Sequence, residues 1–203
     1  MAAVKEIAQP IEYGMATFVK PGNDRSGDVE VVSFYDGGVL LAVIDGLGHG
    51  DEAFIAAQCA KTTIEAHPRD PLEALVQRCH AALRPTRGAV MSLAAIDPAR
   101  GTLRWLGVGN VQGIVHRYDS SARPAREELL LRSGVVGAQL PTLRSAEIPI
   151  RRHDTLIFTT DGIRSNFADG LLASATPHSL ARNILANHLQ GSDDALALVA
   201  RIA

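Results

Sequence analysis

Two similar phrases, far apart in the chain, carry the residues most able to do chemistry. Val39-Leu40-Leu41-Ala42-Val43-Ile44 runs into Asp45-Gly46, and Thr155-Leu156-Ile157-Phe158-Thr159-Thr160 runs into Asp161-Gly162. Each reads as a buried strand that delivers a carboxylate at its C-terminal end, with a glycine behind it that lets the chain turn sharply. Asp-Gly is also a common hairpin-turn dipeptide, but a hairpin needs a second strand at once. After Asp45 comes Leu47-Gly48-His49-Gly50 and then a helical pattern, and after Asp161 come Ile163, Arg164 and polar residues. Neither continues as an alternating strand, so the site reading is preferred to the turn.

Two more acidic phrases flank these. Ser26-Gly27-Asp28 precedes a strand pattern starting at Val29, and Gly191-Ser192-Asp193-Asp194 precedes one starting at Ala195. Alone, each reads as a solvated loop acid. Their value lies in combination: if those strands lie beside the ones ending at Asp45 and Asp161, all the acids meet at one sheet edge. Two carboxylates about 4 Å apart repel by roughly 4 kcal/mol at an effective dielectric of about 20. A gathering of four is tolerable only with cations between them. Oxygen ligands without a His or Cys cluster select hard ions, Mg²⁺ or Mn²⁺, over Zn²⁺.

The positioning elements follow from periodicity. Residues 11–19 alternate loosely as a first strand, and a turn-rich loop fills 20–27. Residues 29–34 and 39–44 read as a hairpin closed at Asp36-Gly37-Gly38. Ile55, Cys59, Thr62 and Ala66 recur at helical spacing. Asp70-Pro71-Leu72-Glu73 forms a helix start, with Asp70 as cap, Pro71 at the first turn and Glu73 reaching back. Leu72, Leu75, Val76, Cys79 and Leu83 are that helix's apolar stripe. Residues 89–96, 102–108 and 112–118 then read as a meander, with turns at Asp97-Pro98 and Gly109-Asn110, and 127–131 as a weaker strand. Residues 133–145 are Gly-rich and irregular, the candidate mobile loop. Residues 155–160 are a buried strand, Thr176-Pro177 opens a helix with Leu180, Ile184 and Leu185 inward, and 195–202 form a closing strand. Many strands with helices in two clusters predict α+β with antiparallel sheets. No composition break divides the chain, so 1–203 is read as one domain.

Composition narrows the partners. Of 203 residues, 46% are hydrophobic and 4% aromatic, which makes the core aliphatic. The net charge of −2, with both signs interspersed, offers no basic stripe for nucleic acid or a membrane surface. No run approaches the roughly 18 apolar residues of a membrane span. The N-terminus has no signal-peptide core, and the two cysteines, Cys59 and Cys79, sit in apolar helical patterns as reduced thiols. The expected address is the cytoplasm. Gly107-Val108-Gly109-Asn110 lacks the Lys-Ser/Thr of a phosphate loop and reads as a tight turn, and no G-x-S-x-G elbow is present. His49 reads as a packing residue, with positioning of a water as the other option. A haloacid-dehalogenase site needs a second Asp where this chain has Leu47.

Asp28, Asp45-Gly46, Asp161-Gly162 and Asp193-Asp194, in that order, resemble the metal-dependent protein phosphatases of the 2C (PPM) type. Ser26-Gly27-Asp28, Val43-Ile44-Asp45-Gly46-Leu47-Gly48-His49-Gly50, Arg87-Gly88-Ala89, Val108-Gly109-Asn110-Val111 and Ser133-Gly134 are similar to phrases of the bacterial SpoIIE/RsbX-like branch. The resemblance spans about residues 14–202. It implies an α-β-β-α sandwich of two antiparallel β-sheets flanked by helices, with two ions of Mn²⁺ or Mg²⁺ at one edge. It further implies that Asp45 bridges the ions, the Gly46 carbonyl binds one, Asp161 and Asp193 hold the other, and Asp28 acts through waters. The implied substrate is a protein phosphorylated on Ser or Thr, a stress-signalling scaffold or antagonist. The chain departs from the family at Ala195-Leu196, where a Thr is usual, and the phosphate-binding arginine of eukaryotic relatives has no matching position; Arg25 is the candidate near Asp28. The catalytic fold consumes the chain, so regulation is expected from partners, metal supply or expression. The rival reading is a degenerate phosphatase fold serving as a protein-binding regulatory module. That rival expects loss of a ligand acid, and all are present.

Overall fold

A computed structural model describes residues 10–169, 171 and 175–203. Its strands are β1 (Ile11–Phe18), β2 (Asp28–Tyr35), β3 (Gly38–Gly46), β4 (Ala89–Asp97), β5 (Thr102–Val108), β6 (Gln112–His116), β7 (Arg126–Glu128), β8 (Leu131–Arg132), β9 (Ala146–Pro149), β10 (Thr155–Thr159) and β11 (Ala195–Ile202). Helices α1 (Asp51–Glu65) and α2 (Leu72–Leu83) follow β3, α3 (Pro177–His188) precedes β11, and a short 3-10 turn covers Ser165–Ala168. One sheet has the order β1-β11-β10-β6-β7, and the other β2-β3-β4-β5-β8 with β9 also on β5. Pairing is antiparallel except between β5 and β8.

Three apolar layers hold four layers of structure. Leu41, Val43, Val90, Ala94, Trp105, Phe158, Leu196 and Leu198 fill the space between the sheets. Leu40, Ala42, Ile44, Met91 and Leu93 meet α1 and α2 on one outer face. Ile157, Ala197 and Val199 meet Leu180, Ala181 and Ile184 of α3 on the other. Strands β3 and β11 face apolar layers on both sides, which is why each reads as a near-continuous hydrophobic run. The expected α-β-β-α sandwich is present.

Several local expectations hold. The β2–β3 hairpin pairs Tyr35 with Gly38 and runs to Asp28 opposite Asp45. The stripe of α2 is buried at all five expected positions. At α3 the Thr176 side chain accepts from the Ser179 N–H, with Pro177 in the first turn, as a capping threonine should.

Others need correction. The buried face of α1 is Ala53, Ala56, Ala57, Ala60 and Ile64, while Ile55 is 57% exposed. Small side chains won the inner face because the helix approaches β3 so closely: a Cβ on Gly46 would stand 2.0 Å from the Ala53 carbonyl oxygen. The capping box at α2 does not form. Asp70 pairs with Arg78 instead, and Glu73 accepts from the Ser145 N–H and hydroxyl. The meander breaks after β5, because β6 leaves for the other sheet and pairs with β10 and β7. The expected strand over 127–131 splits into β7 and β8, one in each sheet. Residues 133–145 are irregular but anchored: Val136 bridges Ala89, and the Gly137 N–H donates to His80 Nδ1 at 3.0 Å. His49 is exposed and does not pack.

Candidate active site

The topology decides where the acids lie. Asp28 opens β2 and Asp45 ends β3, directly opposite each other in the antiparallel register. Asp161 follows the end of β10, and Asp193 precedes the start of its antiparallel neighbour β11. The four aspartates therefore come from both sheets to one edge of the sandwich. Asp45, Asp161 and Asp193 line an open cleft of about 490 Å³, together with Gly48, Val90 and Asn110. Asp28 is only 6% exposed and lies beneath that surface.

Hydrogen bonds fix these carboxylates across the gap between sheets. Thr160 Oγ1 donates to Asp28 Oδ2 at 2.7 Å and accepts from the Leu196 N–H at 2.8 Å. One hydroxyl thus ties β2 of one sheet to β10 and β11 of the other. Asp194 does similar work: Oδ1 accepts from the Lys20 N–H at 2.8 Å and Oδ2 from the Gly27 N–H at 2.7 Å. Of the Asp193-Asp194 pair, one member faces the cleft and the other pins the loop that delivers Asp28. Asn110 Nδ2 donates to Asp161 Oδ2 at 2.8 Å, and Gln190 Nε2 donates to the Asp161 carbonyl. Arg25, the candidate near Asp28, stacks on the Phe54 ring at 4.8 Å.

Glycines let the strand ends close. A Cβ on Gly162 would stand 2.0 Å from the Asp194 carbonyl oxygen, a main-chain atom with no freedom to swing aside. Gly162→Ala is expected to lower stability by about 3 kcal/mol, or roughly 6–12 °C in melting temperature, from overpacking at this junction. A thermal scan showing a drop under about 2 °C would contradict the packing described.

The electrostatics are those of acids held together without a counter-charge. Burial first, then repulsion from Asp194, Asp161 and Asp193, lifts Asp28 to about 7, although the Thr160 hydrogen bond opposes the rise. Burial lifts Asp45 to about 8, with Asp28, Asp161 and Asp193 adding to it. Asp161 also moves up, from burial and from Asp193, against the opposing Asn110 hydrogen bond. No ion pair among the described residues reaches any of the five aspartates. By contrast, Arg117 at the other end of β6 is bound to Asp154 and Glu127, so the 220 Å³ hollow there is a neutralised structural network. Among the described residues, no three Asp, Glu, His or Cys side chains stand close enough to hold an ion unaided.

Asn110 and Thr160 were not singled out as site residues in the sequence. Asn110 was hidden because Gly-Asn reads first as turn chemistry, and Thr160 because it looked like the last residue of a buried strand. The signal available for Thr160 was its place immediately before Asp161.

The double sandwich is a fold shared with solved phosphatase chains: the Mycobacterium tuberculosis serine/threonine phosphatase PstP/Ppp, 14% identical, has a TM-score of 0.76 over 95% of this chain and 98% of its own, a likeness of fold. The family profile described as Stage II sporulation protein E (SpoIIE) matches residues 35–203, and the chain belongs to that family. Phosphoserine phosphatase RsbX of Bacillus subtilis is 27% identical over 168 residues, covering 79% of this chain and 81% of RsbX. A chain solved under the description "The bacterial stressosome: a modular system that has been adapted to control secondary messenger signaling" is 30% identical. It has a TM-score of 0.84 over 94% of this chain and 99% of its own. RsbX in complex with magnesium, 22% identical, has a TM-score of 0.84 over 95% of this chain and 96% of its own, a likeness of fold. No helix among the described residues is long and apolar enough to cross a membrane.

Proposed function

We propose that this chain is an RsbX-like, Mg²⁺- or Mn²⁺-dependent protein serine/threonine phosphatase, a single domain over 1–203 working in the cytoplasm. Its proposed substrates are phosphoproteins of a bacterial stress-signalling pathway, a stressosome scaffold or an anti-sigma antagonist. The observation that carries the metal reading is Asp28 opposite Asp45, both desolvated, at an edge shared with Asp161 and Asp193, where the described residues supply no cationic partner.

The donor set suits hard divalent ions. It is all oxygen, and because no side-chain trio closes a shell alone, an ion here would keep waters, as Mg²⁺ does readily. Asp45, with the Gly46 carbonyl, Asp161 and Asp193 would hold two ions, and Asp28 would act from below through water. Bound there, such ions make a water nucleophilic at neutral pH and offset charge on the phosphoryl oxygens. Thr160 orients Asp28, Asn110 orients Asp161, and Asp194 keeps the 20–27 loop in place. With a metal-activated water as the nucleophile, no phosphoenzyme is needed.

The direct test is hydrolysis of p-nitrophenyl phosphate, then of a phosphoserine protein, with Mn²⁺ and with chelator. Turnover should vanish on chelation and return with excess Mn²⁺. Activity indifferent to chelation would overturn the metal reading.

A further inference from the structure

We infer that Arg87 receives the substrate's phosphate at the mouth of the cleft, an assignment that rests on the phosphatase reading above. The cleft is lined by three aspartates and by no lysine or arginine, yet its proposed substrate carries a phosphate dianion. The proposed ions would answer the charge at the reacting phosphorus, and a guanidinium at the rim adds directional donors for the outer phosphate oxygens. Gly48, a lining residue, has a φ of +100°, and the place where its Cβ would stand is 3.3 Å from Arg87 Nη1 and 3.4 Å from Arg87 Cδ. A side chain there would be strained and would press on the arginine, so the glycine keeps the guanidinium against the cleft wall.

The backbone that carries Arg87 is fixed to the site. The Leu47 N–H donates to the Gly88 carbonyl at 3.0 Å, joining this segment to the turn after Asp45. The Gly88 N–H donates to Thr86 Oγ1, which itself donates to the Leu83 carbonyl at 2.7 Å. Ala89 and Val136 then bond to each other in both directions. Arg87 therefore leaves a rigid corner beside Asp45.

Its present partner is replaceable. Arg87 Nε pairs with Glu52 in the first turn of α1, and the two side chains are 58% and 66% exposed. An exposed pair of this kind is worth little. A phosphate can take two parallel hydrogen bonds from the guanidinium fork, a stronger arrangement than lysine's point charge provides.

Arg87→Ala, Arg87→Lys and Glu52→Gln, made in the full chain with Mn²⁺, test the assignment. Arg87→Ala should raise KM for a phosphoserine peptide and the inhibition constant of inorganic phosphate by about tenfold each, with a smaller change in kcat. Arg87→Lys should recover part of both. Glu52→Gln, which leaves the guanidinium and removes its competitor, should bind phosphate at least as tightly as wild type. Phosphate inhibition unchanged in Arg87→Ala, with Arg87→Ala and Glu52→Gln both melting lower, would make the pair a structural tie and overturn the assignment. Wild-type protein without hydrolysis would sink the phosphatase reading and Arg87's role with it, whereas wild-type turnover with unaltered constants in Arg87→Ala would sink only the latter.

Discussion

Asp45→Asn is expected to lower kcat by at least about a thousandfold, some 4 kcal/mol of transition-state stabilisation, while the metal-free protein melts higher than wild type at pH 8. The two halves have one cause. Asp45 is lifted to about 8 because burial and its acidic neighbours penalise its negative charge. An asparagine of nearly the same shape removes that penalty and also removes the charge proposed to hold an ion. In chelator at pH 8 the gain should be about 1–3 kcal/mol, which at this chain length is a rise of roughly 2–12 °C. Asp161→Asn should lose turnover similarly with a smaller rise, because Asp161 sits at the open rim with Asn110 already opposing its upward shift. Near-normal kcat in Asp45→Asn would defeat the assignment. A lower melting temperature in chelator would show that the carboxylate has a stabilising partner.

The second large effect concerns pH. In the unfolded chain Asp28 and Asp45 ionise near 3.8, but in the fold they keep protons up to about 7 and about 8. Between those limits the folded state binds more protons, so its stability is fully present at low pH and is lost as pH rises. Each group contributes a slope of up to about 1.4 kcal/mol per pH unit. Metal-free protein should therefore melt several degrees lower at pH 8 than at pH 5.5, a window in which ordinary carboxylates are already ionised. Asp28→Asn/Asp45→Asn should flatten the slope, and saturating Mn²⁺ should abolish it. Cation binding near pH 7 should release protons, read by titration calorimetry in two buffers of different ionisation enthalpy. A melting temperature that rises from pH 5.5 to 8 in chelator, with no proton release, would refute this account.

The chain's own pattern revealed the strands better than their partners. Continuous apolar runs identified β3, β10 and β11, since a strand covered on both faces must be apolar at every position. Two of the runs end in Asp45 and Asp161, but the meeting of Asp28, Asp45, Asp161 and Asp193 at one edge was an expectation conditional on which strands lie side by side. The departure of β6 to the second sheet was not legible, because a Gly-Asn turn has the same composition whether the next strand pairs back or crosses over. The inner face of α1 was not legible for a related reason. Hydrophobicity ranks Ile55 above Ala53, whereas the 2.0 Å clearance at Gly46 ranks them by size. Which aspartate of Asp193-Asp194 faces the cleft depended on main-chain N–H groups of residues 20 and 27, nearly the whole chain away.

The pairing of β1 with β11 along its length, from Ile11 opposite Ile202 to Phe18 opposite Ala195, orders events during synthesis. Among the described strands, β1 is made before all the others and pairs with β11, which is made after them. Until then β1 and β10 lack the strand that lies between them, Asp193 has no β11 to anchor it, and the Thr160 hydroxyl lacks the Leu196 amide. A nascent chain can close the β2–β3 hairpin early, but the edge that gathers the aspartates cannot form before β11 is made. Long-range closure of this kind folds slowly, and until β11 arrives β1 keeps an unpaired edge.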